Sequence, residues 1–283
     1  MEADKFKGQC IDMIDKSFVF IAGHHRSGTS LLHRIIRDHP QIGGFKGTGV
    51  PEDEGQHLQS IYMPAYVFGG PGKYIFDERS YMNEFHQLAT DNTAKAIFEQ
   101  WEKFYDAGCL HYVEKSPPNL IRTRFLQKIF PNSKFIVILR HPIAVSYATQ
   151  KWSGTSIVSL LDHTLRGYEI FTRDLAFLSN AYVLRYEDFV LNPCAAINEI
   201  YRFLSVDKAC FAQTVHDGVN NKYFSMWADQ REAILSSMSS HELEHFEQRS
   251  RVYGYSILDC DKYAYSYIYG THIKISARIR SGV

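Results

Sequence analysis

A short apolar stretch that runs into a glycine-bounded turn constrains this chain more than any other feature of its sequence. Residues 18–40, FVFIAGHHRSGTSLLHRIIRDHP, read as a β-strand, a tight turn and a helix. Gly23 and Gly28, followed by Thr29 and Ser30, reproduce the glycine spacing of the phosphate-binding loop GxxxxGK(S/T). Because backbone N–H groups and the helix dipole converge where such a helix begins, the turn predicts an anion-binding site.

Two departures from that loop argue against a nucleoside triphosphate held by magnesium. The loop lysine is replaced by Thr29, and the nearest positive charge lies upstream at Arg26. The strand KFIVIL is followed by Arg140 and His141, where a magnesium-binding strand would end in aspartate. The pattern therefore favours a ligand that carries two separate phosphate groups and needs no metal. The alternatives are a P-loop kinase using ATP and a catalytically silent nucleotide-binding module.

Alternating β-rich and helical patterns predict a parallel sheet. Near-continuous apolar runs predict strands at 17–22, 111–115, 134–140 and 181–186. Helical patterns fill the intervals, at 28–38, 80–106, 118–130, 142–152, 158–179 and 193–204. This order predicts an α/β fold, with a parallel β-sheet flanked by helices, like that of the P-loop nucleoside triphosphate hydrolases. We expect one domain over residues 1–283, with a core at about 17–255 and a C-terminal extension at about 256–283.

Charge and cysteine content narrow the functional classes. Lys+Arg and Asp+Glu both number 31, so no basic field favours nucleic-acid binding. The five cysteines are scattered and lack CxxC spacing, so neither a disulfide framework nor a cysteine zinc site is indicated. No apolar run is long enough to span a bilayer, and the acidic N-terminal stretch is unlike a signal peptide. We expect a soluble cytoplasmic protein with no membrane span and no nucleic-acid partner.

Four motifs together resemble the sulfotransferases that use 3′-phosphoadenosine 5′-phosphosulfate (PAPS). They are GHHRSGTSLL, VEKSPPN, VILRHPIAVSYATQKW and VLRYEDFVLNP, which occur in the family's order over roughly residues 17–255. The sequence is most similar to the PRSGT-type branch, which includes tyrosylprotein and many bacterial sulfotransferases. The resemblance implies transfer of a sulfuryl group from PAPS to a hydroxyl or amine of a small molecule, a glycan or a tyrosine. It implies 3′-phosphoadenosine 5′-phosphate (PAP) as the product and no required metal.

The resemblance also implies which residues bind the nucleotide. Arg140 would hold the 3′-phosphate, Tyr186 would lie near the adenine, and Lys222 is a further phosphate-contacting candidate. The 5′-phosphosulfate would lie in the turn after the first strand, against Arg26, Ser27, Gly28, Thr29 and Ser30.

One position departs from the family pattern. The serine that usually follows the arginine by eight positions is replaced by Ala148. Ser146 and Thr149 flank it, and either hydroxyl could assist Arg140 at the 3′-phosphate.

The same resemblance suggests the catalytic groups. Arg26 takes the place of the family's catalytic cation, and Lys115 points towards the transferred group, so both would stabilise charge on the departing nucleotide. In the PRSGT-type branch a glutamate soon after the loop helix is the general base, which favours Glu54. Glu52 and His57 are the alternatives. Nearby aromatic residues could stack on an acceptor or pack as a lid: Tyr62, Tyr66, Phe68, Tyr74 and Phe76.

A competing motif occurs late in the chain. Residues 241–245, HELEH, satisfy the HExxH pattern of zinc peptidases, with Glu242 as the base. Ser239 and Glu242 also have capping-box spacing, which predicts the start of a helix instead. After Glu247 there is no glutamate to serve as a third ligand. We therefore expect no metal site and keep zinc hydrolysis as a minor alternative.

The C-terminal stretch at 263–283 has strand periodicity with one basic face. Isoleucines alternate there with histidine, lysine and arginine, in YAYSYIYGTHIKISARIRSGV. This stretch could add a hairpin, join a homodimer or guard the acceptor opening.

Overall fold

The sheet predicted from the sequence is present. The computed structural model describes residues 17–106, 108–260 and 273–274. In this part of the chain the strands are β1 (Ser17–Ala22), β2 (Ile42–Gly44), β3 (His111–Lys115), β4 (Lys134–Leu139), β5 (Ala181–Arg185) and β6 (Ile273–Lys274). Their order is β2-β3-β1-β4-β5-β6; the first five are parallel, and β6 pairs antiparallel with β5.

The four predicted strands are confirmed to within one residue at their ends. β2 was not among the predictions, since its three residues include two glycines and carry no strand signal. β6 falls in the C-terminal stretch whose alternation predicts a strand, and the rest of that stretch lies outside the described residues.

Helices cover the sheet. They are α1 (Thr29–Arg37), α2 (Asp91–Trp101), α3 (Thr123–Ile129), α4 (Pro142–Ser153), α5 (Ile157–Leu175), α6 (Tyr186–Leu191), α7 (Pro193–Leu204), α8 (Asn221–Ser236) and α9 (Ser240–Arg251). Among these helices none is both long enough and apolar enough to cross a membrane.

Two predicted helices are wrong in extent. The helix predicted at 80–106 begins only at Asp91, because the Thr90 hydroxyl accepts a hydrogen bond from the Thr93 N–H and caps the helix there. The helix predicted at 118–130 is divided into a 3₁₀ segment, Pro117–Ile121, and α3. In the first segment the N–H groups of Asn119 and Arg122 donate to carbonyls three residues back, those of Ser116 and Asn119, both at 3.0 Å, which is the 3₁₀ pattern.

The core lies on both faces of the sheet, as β1 shows. Phe18 and Phe20 pack into one apolar cluster with α2, α3, α4 and α5. Val19 and Ile21 point to the opposite face and pack with α1, α6 and α7. Because β3, β1, β4 and β5 are adjacent and parallel, the segments that follow them meet at one edge of the sheet. Chemistry in this fold belongs at that edge.

Candidate active site

The turn after β1 depends on its two glycines. Gly23 has φ 156°, and a Cβ there would lie 2.6 Å from the carbonyl oxygen of Ile138 in β4. Gly28 has φ 102°, and a Cβ there would lie 2.8 Å from Cδ2 of Tyr186. Arg26 is also left-handed, with φ 68°, which is uncommon for a residue with a side chain. The turn is therefore packed tightly against the ends of β4 and β5.

The anion-binding donors of this turn are fewer than the sequence predicts. The N–H and the hydroxyl of Ser27 both donate to the carbonyl of His24, at 3.1 and 2.7 Å, so the N–H of Ser27 is not free. It closes the turn instead. Among the described residues no side chain caps the start of α1, so the first N–H groups of that helix remain free to donate to a ligand. The N–H groups that remain available in this turn are therefore those of residues 28–30.

Arg140 joins this turn to the nucleotide-binding candidates. Its Nη1 donates to the carbonyl of Arg26 at 2.6 Å. Its Nε and Nη2 both donate to Oδ1 of Asn220, at 2.9 and 2.6 Å. The guanidinium carbon lies 4.2 Å from the ring centre of Tyr186. The structure thus brings together three elements that the sequence shows far apart, and it adds Asn220, which the sequence analysis did not predict.

The two hydroxyl candidates on α4 have different surroundings. Ser146 is buried and donates to the carbonyl of Pro142 at 2.8 Å, which commits it to its own helix. The buried hydroxyl of Thr149 has no hydrogen-bond partner among the described residues. It lines a narrow crevice beside His24 and His163 that is too small to hold a water molecule. Neither hydroxyl is bonded to Arg140 in the described part of the chain, so the choice between them stays a prediction.

The histidines of the turn are not the source of its positive charge. Burial lowers the pKa of His24 to about 4 and that of His25 to about 3. Both rings are therefore neutral near pH 7. Arg26 is exposed, with its guanidinium carbon 4.8 Å from the ring centre of Trp152 on α4. Arg26 is the cation that the turn presents to solvent.

Lys222 lies at the edge of this region. It is exposed at the start of α8, with its ammonium 4.8 Å from the ring centre of Tyr223. That ring centre lies 5.6 Å from the guanidinium carbon of Arg140. The position keeps Lys222 near the predicted phosphate site without any direct contact to the turn among the described interactions.

The predicted catalytic groups Glu54, His57 and Lys115 form one cluster. Lys115, the last residue of β3, is fully buried, and its ammonium donates to Oε1 of Glu54 at 2.9 Å. Oε2 of Glu54 accepts from Gln56 at 2.5 Å and lies 3.8 Å from Nε2 of His57. Glu52, the other candidate base, is exposed in a left-handed conformation with φ 54°. The geometry thus favours Glu54 and His57 over Glu52.

The segment that carries Glu54 is fixed by the end of β3. The N–H of Gly55 donates to Oε1 of Glu114 at 2.9 Å, and the N–H of Gln56 donates to the Ser116 hydroxyl at 3.0 Å. A Cβ at Gly55 would lie 2.5 Å from Cγ of Glu114, so this close approach requires glycine. Burial raises the pKa of Glu114 to about 7. Glu114 was not predicted; its signal was an acid inside an otherwise apolar strand.

The aromatic residues beside this cluster divide between core and surface. His57 is half-buried, and its ring stacks on Tyr66 with 6.0 Å between ring centres. Burial lowers the pKa of His57, and the nearby Glu54 carboxylate partly opposes that shift. Tyr62 and Tyr74 are buried, Phe68 is partly buried, and Tyr66 and Phe76 are exposed. The predicted packed lid thus accounts for two of these aromatics and leaves two facing solvent.

One buried arginine helps to hold the segment between β2 and α2 to the core. Between β2 and α2 the chain forms only short 3₁₀ segments. Arg122 donates through Nε to the carbonyl of Ser80 and through Nη2 to the carbonyl of Met63, both at 3.1 Å. These bonds satisfy carbonyls that no regular secondary structure would pair.

The HELEH motif is the first turn of α9. The Ser239 hydroxyl accepts from the Glu242 N–H at 3.2 Å, and the Glu242 carboxylate accepts from the Ser239 N–H at 2.8 Å. The predicted capping box is therefore confirmed. His241 and His245 are exposed. Among the described residues no group of three histidine, cysteine or acidic side chains is arranged to hold a metal ion.

A family model matches the part of the sequence that forms the five parallel strands, the turn after β1 and the arginine after β4. The model of the Sulfotransferase family matches residues 18–209, more than half of the chain. The chain therefore belongs to the sulfotransferase family.

One curated protein is also similar to this chain. Protein-tyrosine sulfotransferase 1 of Danio rerio is 24% identical over 202 residues, which cover 68% of this chain and 54% of that protein. The chain thus spans about half the length of this curated relative.

Solved structures show the same fold at low identity. The sulfotransferase domain of the Synechococcus PCC 7002 olefin synthase is 16% identical, with a TM-score of 0.53 over 85% of this chain and 95% of that one. A sulfotransferase of Mycobacterium tuberculosis H37Rv is also 16% identical, with a TM-score of 0.51 over 85% of this chain and 78% of that one.

Proposed function

We propose that this sulfotransferase moves a sulfuryl group from PAPS to a hydroxyl or amine of a small molecule, a glycan or a tyrosine. The observation that carries the proposal is the bond between Arg140 and the carbonyl of Arg26. It sets a guanidinium beside the helix N–H groups of residues 28–30, so two anion-binding elements lie side by side. β4 is followed by this arginine and not by an acidic metal ligand. Such a pair suits a nucleotide with phosphates at two positions.

The residues at this edge fit PAPS, which when bound supplies a sulfuryl group on a phosphate leaving group. The N–H groups of residues 28–30 and the guanidinium of Arg26 would bind the 5′-phosphosulfate. Arg140 would bind the 3′-phosphate, with Tyr186 beside the adenine. Lys222 and either Ser146 or Thr149 remain secondary candidates for phosphate contact. The family resemblance implies no metal and none of these side chains is a carboxylate, so the proposal includes no metal.

The cluster at the end of β3 would activate the acceptor. Glu54 would take the proton from the acceptor hydroxyl or amine, since its carboxylate is held in place through Gly55 and Gln56. Lys115 and Arg26 would stabilise the negative charge that develops on the leaving oxygen. A neutral His57 can also accept a proton, and it is the competing base. The similarity to a protein named as a tyrosine sulfotransferase supports tyrosine among the acceptors.

Ligand binding tests the donor. PAP should raise the melting temperature in the absence of magnesium, because a ligand that binds only the native state stabilises it. Tighter, magnesium-dependent binding of ATP would favour a kinase and contradict the proposal. An acceptor screen with sulfur-labelled PAPS, read by mass spectrometry of the product, then tests transfer. Binding of PAP with no transfer to any acceptor class would favour a silent nucleotide-binding module.

We also infer partners and location from the sequence. The balance of 31 basic and 31 acidic residues supports binding of a local anion and no nucleic acid. The scattered cysteines support a cytoplasmic setting. A homodimer is a further proposal, with the C-terminal stretch at 263–283 as one candidate contact beside its two other roles, an added hairpin or a guard of the acceptor opening. The molecular mass in solution with and without this stretch tests the dimer.

A further inference from the structure

We propose that Asn220 is a positioning residue that orients Arg140 for the 3′-phosphate, and that Glu187 in turn holds Asn220. The inference rests on the proposed function, because it assumes that Arg140 contacts the nucleotide. Neither Asn220 nor Glu187 belongs to the residues implied by the family resemblance.

The contacts of Arg140 define which of its donors can reach a ligand. A guanidinium has five N–H groups. Asn220 takes one from Nε and one from Nη2, and the Arg26 carbonyl takes one from Nη1. One N–H on each terminal nitrogen is left without a partner among the described residues. Two neighbouring N–H groups are what a bidentate contact to one phosphate requires.

The faces of the guanidinium are held as well as its edges. Its carbon lies 4.2 Å from the ring centre of Tyr186 and 5.6 Å from that of Tyr223. With the edge bonds to Asn220, these contacts fix the plane in which the two remaining N–H groups point. Asn220 is the only side chain among the described residues that accepts from the guanidinium of Arg140. Without Asn220 the guanidinium of Arg140 could therefore rotate in its own plane, because contacts with the rings of Tyr186 and Tyr223 do not restrain that rotation.

The orientation of the Asn220 amide follows from its partners. Arginine can only donate hydrogen bonds and an ionised carboxylate can only accept them. Oδ1 must therefore face Arg140, and Nδ2 donates to Oε1 of Glu187 at 2.7 Å. Both Asn220 and Glu187 are buried, so an unpaired group on either would be costly.

Glu187 is itself anchored on two sides. Its Oε1 accepts from the backbone N–H of His141 at 3.0 Å, and its Oε2 accepts from the Tyr255 hydroxyl at 2.8 Å. His141 directly follows Arg140, so Glu187 holds both the backbone and, through Asn220, the side chain of this corner. The chain of contacts runs Tyr255, Glu187, Asn220, Arg140.

A neutral amide between Glu187 and Arg140 has a chemical consequence. A carboxylate bonded directly to the guanidinium would neutralise the charge that a phosphate must meet. The amide satisfies the donors of Arg140 and leaves its charge available. Asn220→Asp keeps the shape but sets a second carboxylate against Glu187 and pairs Arg140 internally. This substitution should therefore weaken phosphate binding more than Asn220→Ala does.

The test compares affinities for PAP and adenosine 5′-phosphate, measured by titration calorimetry. Asn220→Ala should weaken PAP about tenfold, through lost orientation of Arg140, and adenosine 5′-phosphate less than about twofold. Asn220→Asp should weaken PAP further with the same selectivity. Asn221→Ala, an exposed neighbour at the start of α8, is the matched control and should bind both ligands like the unmodified enzyme.

Arg140→Ala separates failure of this inference from failure of the proposed function. If Arg140→Ala selectively weakens PAP while both Asn220 variants bind PAP normally, the positioning role is wrong and the nucleotide site stands. If Arg140→Ala weakens both ligands equally, the assignment of the 3′-phosphate is wrong and the inference falls with it. Equal weakening of both ligands by Asn220→Ala overturns the positioning role alone. Should Asn220→Ala not fold, Asn220→Ser, which shortens the side chain and adds no charge, replaces it, and equal weakening of both ligands by that variant likewise overturns the positioning role.

Discussion

Replacing Glu54 by glutamine should damage stability and catalysis together, through two separable causes. The change preserves shape and removes the negative charge beside Lys115, whose side chain is fully buried. Removing one partner of a buried ion pair costs about 3–5 kcal/mol, because the remaining charge is left uncompensated. The glutamine oxygen can still accept a hydrogen bond from Lys115, so we take about 3 kcal/mol. For 283 residues, at about 2.1 cal/mol/K of unfolding entropy per residue, that lowers the melting temperature by about 5 °C.

The catalytic cause is the loss of the base. If Glu54 takes the acceptor proton, kcat should fall about 10²-fold or more, which is the usual contribution of a positioned base. The affinity for PAP should change little, because Glu54 lies in the cluster at the end of β3 and not in the turn after β1. Thermal melts, calorimetric titration with PAP and steady-state rates with an acceptor from the screen measure the three quantities.

A double variant isolates the ion pair. Adding Lys115→Met to Glu54→Gln removes the uncompensated charge while keeping most of the buried volume. The double variant should regain most of the lost melting temperature but none of the activity. A melting temperature for Glu54→Gln within about 2 °C of the unmodified enzyme would refute the stability argument. Retention of most of its activity would refute the assignment of the base.

Further predictions concern other residues of the site. His57→Ala should change mainly the acceptor KM or the pH profile; loss of all activity there, with Glu54→Gln still active, would make the histidine the base. Arg140→Ala should weaken PAP about 10²-fold and adenosine 5′-phosphate far less, measured by calorimetry. His245→Ala should leave sulfuryl transfer near normal, and metal analysis showing one tightly bound zinc per chain would contradict us. The folded-state pKa values of His24 and His25, about 4 and about 3, lie below the ordinary 6.5. Their contribution to stability is therefore complete above pH 6.5 and is lost as pH falls towards 4; melting temperatures that stay constant over this range would contradict it.

The parts of the site that the sequence predicted are those set by local rules. Gly23 and Gly28 are required by positive φ and by close packing, so their spacing alone identified the turn. Arg140 was expected near that turn because the ends of parallel strands meet at one edge of a sheet. Lys115 was implied by the family resemblance and not by a local rule, and its ion pair with Glu54 was not predicted.

The parts that the sequence missed depend on contacts between distant residues. Asn220 is 80 positions from Arg140, and nothing in its immediate neighbourhood indicates that its amide accepts from a guanidinium. Glu114 meets Gly55 across 59 positions, and a lone acid in an apolar strand does not reveal its partner. The late start of α2 was missed for a different reason. Its helical pattern extends upstream, but the Thr90 cap ends it, and periodicity does not report such competition.

The region between β2 and α2 is continuous in sequence and carries no strand of the sheet, so it could be exchanged as one piece. The proposed nucleotide site lies at the ends of β1, β4 and β5, whereas residues 58–90 form one continuous segment. Arg122 bonds to that segment at Met63 and Ser80, and the Tyr81 hydroxyl of the segment donates to Asp174 in α5. A chimera that exchanges this segment for that of another family member should keep its nucleotide affinity. The range of acceptors that the chimera uses should be that of the family member from which the segment was taken. Arg122 should be retained in every such exchange, because its bonds at positions 63 and 80 help to hold the exchanged segment against the core.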